Sequence, residues 1–205
     1  MNDQIVELTD RYGIPQRVEV ALPSGTFDPL NSGLNSGRTR EVAFAVLRPN
    51  GKVLLQTKSI YPEGTFRVPT GGIEEDEDIE EALKREVEEE MGFDVEIQRF
   101  FALIEYSAPE LTKAFTTYAF LLRETGGTLL ASESHEKISG WREVVPSDLV
   151  EIAKQLEGMD GEWRAWGLFR APEHRILAEV LEGFTVEDVE GETERSVEES
   201  VLRKR

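Results

Sequence analysis

Apolar and polar positions along the chain follow two periods, and each predicts a different kind of element. Val18, Val20 and Leu22 alternate with polar neighbours, which predicts a short strand over Gln16 to Leu22. Val42 to Leu47 is a continuous apolar run, the pattern of a strand covered on both faces. Pro49-Asn50-Gly51 then supplies a turn and Val53 to Thr57 returns, so this pair reads as a hairpin. Phe66 to Val68, Val95 to Ile104, Thr116 to Leu122 and Gly140 to Val145 predict further strands, with a loop around Tyr106-Ser107-Ala108-Pro109. Pro146-Ser147-Asp148 opens a helix to about Leu156, and a last amphipathic helix runs from about Pro172 to Leu181. Between these elements, Pro23 to Arg40 is rich in Gly, Ser and Asn and reads as a loop or linker. The charged stretch Glu187 to Arg205 reads as frayed helix or disordered chain.

The period changes between Gly71 and Phe93. Pro69-Thr70-Gly71-Gly72 has turn composition, and from about Glu77 to Met91 there is no Gly or Pro. Good helix formers fill that span, acidic residues occupy its first turn, and Gly92 stands where a helix stops. At about 100° per residue, Ile79, Ala82, Leu83 and Val87 share one arc. Glu86 and Glu90 fall within about 20° of the centre of that arc, while Glu89 lies at its edge. Glu80, Glu81 and Glu88 read as a solvated acidic surface.

Two carboxylates on a buried face are costly unless something compensates them. Clustered carboxylate oxygens suit a hard divalent ion, Mg²⁺, Mn²⁺ or Ca²⁺, rather than zinc held by Cys or His; of these Mg²⁺ or Mn²⁺ is the expected cofactor. Arg85 lies within reach of Glu77 and of the acidic ridge, so it is placed to hold the loop against the helix.

Written as a pattern, the stretch is Gly71, five residues, Glu77, seven residues, Arg85-Glu86-Val87, one residue, Glu89-Glu90, one residue, Gly92-Phe93. This resembles the signature box of the Nudix hydrolases, with every fixed position filled. The resemblance implies an α/β fold, an α/β/α sandwich with a mixed β-sheet between helices. It also implies metal-dependent hydrolysis of a diphosphate bond in a nucleoside diphosphate linked to another group. Carried over position by position, Glu86, Glu89 and Glu90 are the expected metal ligands, with the carbonyl of Thr70 as a further one. The general base is Glu86 or a glutamate on a later loop, where Glu136 is favoured over Glu133. Pro69-Thr70-Gly71, together with Pro109 sixteen positions after Phe93, resembles the ADP-ribose pyrophosphatase branch. Glu110-Leu111-Thr112, however, replaces the glycine and glutamate common there. Arg67 and Lys58 are candidates to contact phosphates, and Tyr106, Trp163 or Trp166 to stack a base. His135 and His174 read as surface residues.

Length and composition set the outer limits. At 205 residues and 39% hydrophobic, the chain can bury one full core, expected over 41–157. Residues 1–40 are then an N-terminal extension, and 158–205 a C-terminal helix and tail. No cysteine is present, which excludes disulfides, thiolate metal sites and cysteine nucleophiles. No apolar run approaches the roughly 18 residues of a membrane span, and the polar start is unlike a secretory signal, so the cytoplasm is expected. A net charge of −18 argues against nucleic acid and anionic membranes as partners. The same charge would repel a phosphorylated small molecule, unless divalent cations invert the local charge. The assembly is open, a homodimer included. A non-catalytic nucleotide sensor is the alternative, but the intact box argues against it. A purely structural Ca²⁺ protein lacks the Asp/Asn-rich loop of an EF-hand.

Overall fold

The computed structural model describes residues 2–24, 38–109, 111, 113–130 and 138–183. Two parallel pairings and several antiparallel ones build a mixed sheet with helices on both faces, the expected α/β/α sandwich. Among the described residues the strands are β1 (Gln16–Ala21), β2 (Arg40–Leu47), β3 (Val53–Lys58), β4 (Thr70–Gly72), β5 (Phe93–Ser107), β6 (Phe115–Gly127) and β7 (Ile138–Val144). Their order is β1-β5-β6-β2-β3-β7, with the short β4 added to β2. β1 lies parallel to β5 and β2 parallel to β6, while β2 and β3 form the expected hairpin.

The continuous apolar run is β2, and its central place in the sheet explains why both of its faces are apolar. Val42, Phe44 and Val46 point to one layer, where they meet Ile79, Leu83 and Val87 of α2 (Ile79–Met91). Ala43, Ala45 and Leu47 point to the other. There they meet Leu149 and Ile152 of α3 (Leu149–Glu157), Phe169 of α4 (Arg164–Arg170) and Leu177 of α5 (Pro172–Glu182). Small alanines on this side leave room for the bulkier residues of three helices.

Three differences from the sequence reading concern the site. An N-terminal helix, α1 (Asn2–Tyr12), was not expected; it packs Leu8 into the α2 layer, with Ile5 and Tyr12 beside it. Phe66 to Val68 does not form a strand. Arg67 makes an isolated bridge to Gln56, and pairing with β2 begins at Thr70. The helix α4 was also unexpected; it packs tightly on α3, where a Cβ on Gly167 would overlap the Leu156 carbonyl. The charged stretch from Glu187 and most of the Gly/Ser-rich loop lie outside the described residues.

Candidate active site

Asp78 caps α2 by accepting the Glu80 main-chain N–H at 2.8 Å. At the other end Gly92 adopts φ 68°, and its N–H donates to the carbonyls of Val87 and Glu88 at 3.1 Å. The helix thus stops where its glycine predicts, and its register is fixed at both ends. That register turns Ile79, Ala82, Leu83 and Val87 inward and takes Glu86 and Glu90 with them, at 5% and 1% exposure. Glu89, at the edge of the arc, keeps 61% of its side chain exposed.

Glu86 fits into the sheet because Gly71 has no side chain. A Cβ on Gly71 would overlap Cγ, Cδ and Oε2 of Glu86. Gly71 pairs with Val42 of β2, so the carboxylate rests against the β2–β4 pair. Arg85 ties loop and helix together: Nε and Nη2 donate to the two Glu77 oxygens at 2.7 and 2.9 Å. Its Nη2 also donates to the Gly72 carbonyl at 2.9 Å, and Nη1 to Glu86 Oε1 at 2.7 Å. These hydrogen bonds, that of Glu77 first, raise the Arg85 pKa further above its ordinary range. In return the Arg85 hydrogen bond holds the Glu77 carboxyl below the usual carboxylate range. Arg40 closes the loop from the sheet side, donating to the carbonyls of Glu74 and Glu75 at 2.8 and 3.0 Å.

The donor set has the chemistry of a hard-cation site: oxygen only, with two inward carboxylates beside a glycine that makes room for one of them. Among the described residues no three acidic or imidazole side chains already converge tightly enough to hold an ion. Arg85 Nη1 engages Glu86 Oε1 and, at 3.4 Å, Oε2 of the more exposed Glu89.

The remaining sequence candidates divide. Arg67 is 3% exposed, and its guanidinium donates to the Tyr61 hydroxyl, the Val68 carbonyl and the Thr70 hydroxyl at 2.9, 2.7 and 3.0 Å. It braces the segment before the box rather than facing an open cleft. Tyr106 is buried with its ring edge-to-face on Phe169 at 4.7 Å, so it faces the α4 layer. Trp163 and Trp166 pack with Tyr61 in one aromatic cluster. Glu133, His135 and Glu136 lie outside the described residues.

Two surface assignments are corrected. Glu80 is nearly buried, held by Arg11 at 2.5 Å and Lys84 at 2.8 Å, because the unforeseen α1 lies against it. His174 is wholly buried. Its Nε2 accepts the Val68 N–H at 3.0 Å, and Nδ1 donates to the Arg170 carbonyl at 2.8 Å. Around it lies a buried polar group that sequence reasoning missed. There Arg170 donates to Glu41 Oε1 at 2.6 Å, Thr117 donates to the same oxygen at 2.7 Å, and Glu173 is buried beside them. A signal was present, since His174, Leu177, Ala178 and Leu181 fall on one helical stripe.

Comparison with known proteins identifies the family. A family model described as the NUDIX domain matches residues 37–167, and the chain belongs to the Nudix hydrolase family. The NAD-capped RNA hydrolase NudC of Vibrio atlanticus is 33% identical over 114 residues, covering 54% of this chain and 41% of that protein. The human mitochondrial NAD(P)H pyrophosphatase NUDT13 is 28% identical over 103 residues, covering 50% and 29%. A crystal structure of UDP-X diphosphatase aligns with a TM-score of 0.48 at 17% identity, over 71% of this chain and 64% of that one. The chain thus spans less than half the length of these two relatives. No helix among the described residues is long and apolar enough to cross a membrane.

Proposed function

We propose that this chain is a divalent-metal-dependent pyrophosphohydrolase acting on a nucleoside diphosphate linked to a second group, an ADP-ribose-like or dinucleotide compound. One observation carries the reading: Glu86 and Glu90 lie one helical turn apart on the buried face of α2, with Gly71 cleared for Glu86. Two relatives act, by name, on NAD-capped RNA and NAD(P)H, which favours a substrate whose diphosphate joins two larger groups.

Glu86, Glu89, Glu90 and the Thr70 carbonyl would hold Mg²⁺ or Mn²⁺. An ion held there would supply charge neutralisation for the diphosphate and make water more acidic. The chain's own residues do the rest. Arg85 holds the Glu86 carboxylate through Oε1, and Glu86 takes a proton from the attacking water. Water oxygen bonds to one phosphorus, the bridging P–O bond breaks, and the second phosphate leaves with the bridging oxygen. Glu136 is the alternative base, on the segment before β7.

The test is turnover with Mg²⁺ or Mn²⁺ on ADP-ribose, NADH, dinucleoside polyphosphates and nucleoside triphosphates, followed by release of a nucleoside monophosphate. Glu90→Gln is expected to cut kcat by about 10²-fold or more, as loss of a metal ligand does. Thermal stabilisation by these compounds without product would replace the enzyme with a nucleotide sensor.

A further inference from the structure

The segment from Arg67 to Thr70 leads into the box and carries the carbonyl assigned to the metal. Its polar groups are tied down one by one. The Arg67 main chain exchanges two hydrogen bonds with Gln56, and the Pro69 carbonyl accepts from Phe44 N at 3.0 Å. The Arg67 side chain takes the Val68 carbonyl and the Thr70 hydroxyl. Pro69 has no N–H, so the Val68 amide is the one main-chain donor between Arg67 and Thr70. Its partner is not in the box or in the sheet; it is His174 on α5.

We infer that His174 is a positioning residue of the hydrolytic site, acting through the Val68 amide to set the Thr70 carbonyl. The imidazole suits this task because both of its nitrogens are committed. An Nε2 that accepts from Val68 carries no proton, so the proton is on Nδ1, donated to the Arg170 carbonyl. Arg170 is itself anchored to the sheet through Glu41, which also accepts from Thr117 of β6. A continuous chain of hydrogen bonds therefore runs from β6 and β2 through α4 and His174 to the entry of the box. It ties the C-terminal helices to the metal loop from the face of the sheet opposite α2.

The inference rests on the hydrolase reading above, and variants at position 174 separate the two. His174→Leu removes the acceptor and leaves the Val68 N–H buried and unpaired. It is expected to weaken Mn²⁺ affinity, read by electron paramagnetic resonance with the metal alone, by about 10-fold, the loss typical of a disturbed supporting shell. It should also lower kcat by about 10- to 100-fold with little change in KM. His174→Gln places Oε1 near the position of Nε2 and should recover most of both losses. His174→Asn is one bond too short to reach Val68 and should not. If His174→Leu fails to fold, the Gln and Asn pair carries the comparison with both side chains polar.

Folded Leu and Asn variants with unchanged Mn²⁺ affinity and kcat would overturn the inference and leave the hydrolase reading standing. Equal damage from Gln and Asn would overturn it too, by showing a packing role. A wild-type protein that binds no Mn²⁺ and turns over no diphosphate would remove both.

Discussion

Gly71 and Glu86 are complementary in shape: the space a side chain at 71 would fill is occupied by the Glu86 carboxylate. Neither residue is strained in backbone terms, so the glycine is required for close approach and not for an unusual φ. Gly71→Ala should therefore expel Glu86 from its seat while leaving the fold intact. Misplacement of a reacting group by about 1 Å costs about 10²-fold. A fall of that size in kcat, with a melting temperature close to wild type, is the expected result. Full activity in Gly71→Ala would show that the position of Glu86 does not matter.

Arg85 makes four hydrogen bonds of 2.7 to 2.9 Å, to Glu77 twice, Gly72 and Glu86. A planar fork can meet these acceptors together, and a lysine ammonium cannot. Arg85→Lys keeps the charge and loses the geometry. We expect kcat to drop by about 10- to 100-fold, in line with losses from supporting residues of metal sites. Steady-state kinetics at saturating Mg²⁺ decide this. A variant restored by excess metal would place the defect in ion binding, and one that is not would place it in loop position.

Arg11, Tyr12 and Lys84 all converge on Glu80, at the first turn of α2. Glu80→Ala removes the common partner, whereas Arg11→Ala removes one of three. The melting temperature should fall more for Glu80→Ala than for Arg11→Ala, and kcat should hold within about two-fold in both, as expected away from the chemistry. A larger effect of Arg11→Ala would show that α1 is held mainly by that one ion pair.

The residues that could be read from the sequence are those whose partners repeat along it. Glu86 and Glu90 stood out because they interrupt an apolar arc that Ile79, Leu83 and Val87 define. The strand β2 stood out because seven successive positions from Glu41 are buried, six of them apolar. Errors arose where the partner is main chain or belongs to an unrecognised element. His174 bonds a backbone amide 106 positions away, and no side-chain pattern announces such a partner. Glu80 was assigned to solvent because its cation, Arg11, lies on a helix whose polar surface concealed the Ile5, Leu8 and Tyr12 spacing. For Arg67 and Tyr106, residue type does not reveal which layer of a sandwich the side chain enters.

Stability should depend on pH through two adjacent buried residues of α5 that pull in opposite directions. Burial pushes Glu173 up to about 8, against the attraction of Arg170, whose guanidinium is already paired with Glu41. Burial pushes His174 down to about 3, although its hydrogen bond to the Arg170 carbonyl opposes this. Between the ordinary carboxylate pKa and about 8, folded Glu173 keeps a proton that the unfolded chain has lost, so stability falls as pH rises. Between about 3 and the ordinary imidazole pKa, unfolded His174 binds a proton that the folded state refuses, so stability rises with pH. Each group alone contributes a slope of about 1.4 kcal/mol per pH unit. The two cancel where their windows overlap, giving a plateau in the mildly acidic range, a decline toward pH 8 owed to Glu173, and a decline in acid. Glu77 and Glu157, both held below the usual carboxylate range by arginine hydrogen bonds, deepen the acid limb. Urea denaturation from pH 4 to 9 measures the profile. Glu173→Gln should flatten the alkaline limb and turn the plateau into a rise with pH owed to His174, whereas an unchanged alkaline limb would show that Glu173 is ionised in the folded protein.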